Sequence, residues 1–202
     1  MFLSKNGFQV KFVPLTFEVG GSQIIVRLAE PFYFQGWPYR AVAGQAAKID
    51  ILAEFTETVS LADGRSTRTS LQVNYFSCDG DRRIACDAIH YDFSSTVQPR
   101  HPVCHAQASN AILSVLPEGF PADRDVSSLA GRHQAVRIPS AFVNLAGLFA
   151  KIVADHLPPD AVAEFWSVCK VYIDKLPDHA STQLSDGIFE LKSLKSYSWY
   201  AW

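Results

Sequence analysis

The chain has 202 residues, enough for one substantial core or for two small ones. Apolar residues make up 48% of it and charged residues 19%, a balance that excludes an intrinsically disordered chain. The net charge is −2 and Lys and Arg form no run longer than the pair Arg82-Arg83, which disfavours nucleic acid as a partner, because phosphate contacts need a basic face. Only a local patch drawn from Arg65, Arg68, Arg82, Arg83 and Arg100 would supply one.

The first residues show no charged head followed by a long apolar run, so a secretory signal is not expected. The most apolar window, 141–154, is interrupted by Asn144 and Lys151 and is too short to cross a bilayer, so no membrane is expected. Cysteines stand at 78, 86, 104 and 169. A hairpin turn at Asp79-Gly80 would hold Cys78 and Cys86 too far apart to bridge. Free thiols in a reducing cytoplasm are therefore the expectation.

In chain order, residues 8–19 are rich in β-formers, Gly20-Gly21 offers a turn, and 23–29 continues as a second arm, which predicts a β-hairpin. Pro14 suits an edge or a bulge, because it cannot donate to a ladder. Residues 30–44 carry Pro31, Gly36, Pro38 and Gly44 among aromatics, a density that predicts a loop. Its rings, Phe32, Tyr33, Phe34, Trp37 and Tyr39, either offer flat faces to a partner or fold under to cover a sheet.

Residues 48–59, 66–77 and 83–93 are strongly β-like and are separated by Asp63-Gly64 and Asp79-Gly80, two hairpin signals. Together they predict an antiparallel meander. Residues 117–138 read as an irregular connection. Apolar positions at helical spacing then predict helices over 141–156 and 161–176, joined through Pro158-Pro159 as a hairpin lying on the sheet. The tail 188–202 bears Tyr197, Trp199, Tyr200 and Trp202, which should dock on their own domain or on another chain.

The fold class expected is thus α+β. A single domain over 1–202 divides into a β-rich part (1–116), a connection (117–138), a helical part (139–176) and the aromatic tail. The sheet would have about five to seven strands.

One constellation has chemical content. His90 and Asp92 share a strand face, and His101 and His105 stay neighbours whether 101–105 is extended or helical. If the intervening loop folds back, the four could meet in one pocket. Imidazoles with a carboxylate are a ligand set for zinc, manganese or iron, with a bound water as nucleophile. A histidine held by Asp92 is also a general base for ester or phosphodiester cleavage without metal. The alternative is a set of hydrogen-bonded polar residues on a half-exposed sheet face. Cys104 sits between two histidines, but adjacent strand residues point to opposite faces, so His105 is poorly placed to activate it.

No Cys-x-x-Cys, His-Glu-x-x-His, Gly-x-Ser-x-Gly, phosphate loop or Gly-x-Gly-x-x-Gly is present, and Asp79-Gly80-Asp81 lacks the remaining ligands of a calcium loop. The expectation is an assembly or binding subunit with a protein partner or a second copy, contacting it through 32–39 and 197–202. A metal-dependent or histidine-based hydrolase, with nuclease and phosphodiesterase among its options, is the alternative.

Overall fold

The computed structural model describes residues 9–10, 13–40, 46–95, 104–109, 113, 116–117, 120, 122–123, 138–139, 152, 156, 163–164 and 167. Its elements are ten strands: β1 (Gln9–Val10), β2 (Leu15–Gly20), β3 (Gln23–Leu28), β4 (Phe32–Arg40), β5 (Ala46–Ser60), β6 (Ser66–Asp79), β7 (Arg82–Ser94), β8 (Cys104–Ala108), β9 (Ala122–Asp123) and β10 (Ile138–Pro139). Seven follow one hydrogen-bonded path, β1-β4-β5-β6-β7-β8-β10, with β2 and β3 joined to β5 and the two-residue β9 running parallel to β7. The chain divides into two compact units, Met1–Pro158 and Pro159–Trp202, and the sheet belongs to the first.

The α+β class is corrected: among the described residues every element is a strand. The helical hairpin expected within 139–176 falls almost wholly outside them, and beyond Pro139 of β10 the few positions described there make up no element. The tail residues Tyr197, Trp199, Tyr200 and Trp202 also lie outside the described residues.

The meander is as the turn chemistry predicts. β5 pairs with β6, and β6 with β7, across loops in which Gly64 and Gly80 adopt φ of 68° and 57°. Such positive φ costs an L-residue strain that glycine does not feel. The β2–β3 hairpin turns at Gly21 in the same way.

The segment 30–44 departs from expectation, since β4 is a nine-residue strand paired to β5. Gly36 and Pro38 are accommodated by a bulge: the register shifts between Phe34 and Trp37, so two residues oppose Asp50 alone. Gly36 supplies the φ of 65° that such a bulge requires. One side of the fifteen-residue β5 is consequently shared, with β4 along Ala46–Ala53 and β3 along Thr56–Ser60.

Both faces of the sheet are covered at its centre. Phe32, Phe34 and Trp37 of β4 lie in rows with Ile49, Ile51 and Ala53 of β5, and Val73, Leu71 and Phe55 complete that buried face. Phe34 and Trp37 meet edge-to-face at 5.1 Å. On the opposite face Leu52, Phe76, Ala85, Ala88 and Leu113 form a second cluster, against which Tyr33, Leu116 and Phe120 pack. Cys86 is the extra residue of a bulge in β7 that sets both Ala85 and Ala88 towards this cluster. No helix among the described residues is long and apolar enough to cross a membrane.

Candidate functional site

Two polar groups stand out, both on the face that carries Leu52 and Phe76. The first follows from strand register. Ser70, Asp92 and His105 occupy one row across β6, β7 and β8, and Gln72, His90 and Gln107 occupy the next. Three of the four residues singled out by the sequence therefore converge. His101 lies outside the described residues.

His90 Nε2 lies 3.0 Å from Ser70 Oγ and 3.1 Å from Asp92 Oδ1, while His105 Nε2 lies 3.9 Å from Asp92 Oδ2. Asp92 Oδ1 nevertheless receives no aligned hydrogen bond from the described residues. The same imidazole nitrogen thus lies close to both the hydroxyl and the carboxylate. A relay in which aspartate orients one nitrogen and serine engages the other is not formed. His90 and Asp92 are about one-quarter exposed, whereas His105 is 1% exposed and sealed beneath the sheet surface. Burial alone would raise the Asp92 carboxyl. His90, His105 and the Ser70 hydroxyl outweigh it and hold the group below the usual carboxylate value.

Among the described residues no group of three or more His, Cys, Asp or Glu side chains is arranged to hold a metal ion; His101 of the ligand set expected for zinc, manganese or iron lies outside them. Neighbouring Glu54, in the row of Gln72, has its carboxyl pushed up by burial.

The second group was missed at the sequence level. Asp50 is fully buried opposite the β4 bulge. Its carboxylate accepts from the Gly36 backbone N–H (2.7 Å), the Tyr33 hydroxyl (2.6 Å) and Arg83 Nε, and the Cys78 thiol lies 3.6 Å away. The bulge withdraws the Gly36 N–H from the ladder, and Asp50 takes it up. Burial raises both the Tyr33 hydroxyl and the Cys78 thiol, followed by the hydrogen bond to Asp50 for Tyr33 and the Asp50 charge for Cys78, so neither ionises readily. The hydrogen bond from Arg83 to Asp50 raises the Arg83 guanidinium in turn. The set is a satisfied structural ion pair. Its signal in the sequence was a lone acid within the apolar run Ile49-Asp50-Ile51-Leu52, since a buried charge requires partners.

The aromatic segment divides: Phe32, Phe34 and Trp37 are core residues, and Tyr33 is half-buried against Phe120 at 5.2 Å. The Tyr39 side chain lies outside the described residues. His156 meets Trp37 edge-on, with Nδ1 3.0 Å from the Pro38 carbonyl oxygen. Cys78 and Cys86 are free thiols.

Large exposed apolar side chains collect elsewhere. Leu15, Phe17 and Val19 are 41%, 67% and 70% exposed, and Leu61, beside the hairpin turn, is 49% exposed. The first three alternate along β2 and therefore share one face, in rows with Leu28, Val26 and Ile24 of β3. No family model, curated protein or solved structure compared with the chain matches it.

Proposed function

We propose that the protein is an assembly subunit that docks on a protein partner through the apolar face of the β2–β3 hairpin. The observation that carries this reading is the exposure of Phe17 and Val19 on a strand that, among the described residues, pairs with β3 alone. Clustered apolar side chains left in water at a sheet edge mark an interface, because that edge also offers unpaired backbone donors and acceptors. With Phe34 and Trp37 in the core, the contact surface moves from the 32–39 segment to β2. The free thiols of Cys78 and Cys86 support a reducing, cytoplasmic setting.

Native mass analysis of the protein in extracts of cells that express it tests the reading. The wild type should migrate in an assembly larger than the single chain. A Phe17→Asp, Val19→Asp double variant should migrate as the single chain with an unchanged melting temperature. Single-chain migration of the wild type would contradict it.

A histidine-based hydrolase is a second reading, supported by the partly exposed His90–Asp92 contact beside Ser70. It requires turnover of an ester or phosphodiester that His90→Gln abolishes without loss of stability. Absence of turnover across a panel of both substrate classes would end it.

A further inference from the structure

We infer that the partner of β2 is a second copy of the same chain, joined edge to edge by an antiparallel β2–β2 pair with its two-fold axis at Phe17. This rests on the assembly reading above and names the occupant of the same surface. The Pro14 carbonyl accepts the Ala29 N–H at 3.0 Å, so Pro14 and Ala29 are a hydrogen-bonded pair. Bonded and non-bonded pairs alternate along an antiparallel ladder. Thr16, Glu18 and Gly20 therefore turn their backbone groups inward to β3, while Leu15, Phe17 and Val19 turn theirs outward.

The strand is self-complementary in this register. A two-fold at Phe17 sets Phe17 opposite its own copy and Leu15 opposite Val19, so all three outward-facing residues bond across the axis. All six apolar side chains then lie on one continuous face. The charges agree. Glu18, already held by Arg27 at 3.1 Å, falls opposite Thr16 of the other copy. Moving the axis one residue towards the turn would set Glu18 against Glu18. Moving it one residue the other way would set Val19 against Val13, which precedes the strand and is buried, so that only the Leu15–Phe17 pairs would form. The buried Val13 before the strand and the Glu18 charge within it thus favour one register. An edge this short makes a small interface, so the dimer should form in roughly the micromolar range rather than below it.

The test uses the purified full-length chain. Sedimentation velocity should show the mass rising from one chain towards two as concentration increases. In a Cys78→Ser background, Phe17→Cys should oxidise to a disulfide dimer, because the two positions face each other within bridging distance. Leu15→Cys should not cross-link to itself, since its two copies would stand about 13 Å apart along the strand, but it should cross-link to Val19→Cys when the two are mixed. A single-chain mass at every concentration would overturn the inference, and so would Leu15→Cys cross-linking to itself as readily as Phe17→Cys. Should the purified chain stay single while the assembly in extracts persists, self-pairing falls and docking on another protein stands. Should the assembly in extracts also be missing, both fall.

Discussion

At the residue scale, Asp50 shows how one side chain is made tolerable in a core. It is fully buried, yet Gly36, Tyr33 and Arg83 each donate to it, so the desolvation cost of the carboxylate is offset by charge-assisted bonds. Removing one partner is worse than never having had the pair. Arg83→Met should lower stability by about 3 kcal/mol, at the low end for a broken buried pair because two donors remain; chemical denaturation measures it. Asp92 obeys a different balance. Its folded carboxyl sits below the ordinary value, so it contributes stability above the ordinary carboxylate range, and that contribution is lost as pH falls through the folded value. The stability gap between wild type and Asp92→Asn should therefore be widest near neutral pH and close on acidification, as read from denaturation curves across pH. A gap that widens on acidification would show that His90 and His105 do not favour the carboxylate.

At the element scale, β4 is the instructive strand. Gly and Pro density normally interrupts regular structure, and here Gly36 does interrupt the ladder, but as a single bulge that leaves pairing intact on both sides. Phe34 and Trp37 flank it and lie on one buried face, meeting ring to ring. Trp37→Ala should therefore cost about 3–5 kcal/mol, measurable as a drop in the denaturation midpoint, where a loop tryptophan offered to a partner would cost little. The meander of β5, β6 and β7 was legible because Asp63-Gly64 and Asp79-Gly80 announce their turns whatever the packing. The register was not. Residues 49–53 of β5 are covered on both faces, which erases the alternation that would have revealed it.

For the molecule as a whole, one sheet face changes from apolar to polar along its strands. Leu52 and Phe76 give way to Glu54, Gln72 and His90, and then to Ser70, Asp92 and His105. That face shows how much of the candidate site the sequence carried. The two-residue spacing of His90 and Asp92 placed them together, but His105 joined them only through the β7–β8 register, which no local pattern encodes. The hairpin reveals the opposite limit. Leu15, Phe17 and Val19 alternate as any half-buried strand would, and nothing in their spacing says that their apolar face meets water. That exposure is the property on which the functional reading depends. Sedimentation velocity on the purified wild type beside a Phe17→Asp, Val19→Asp double variant tests it most directly. The wild type should associate with rising concentration, and the variant should stay a single chain with the same melting temperature. A wild type and variant that sediment identically would contradict self-association through β2.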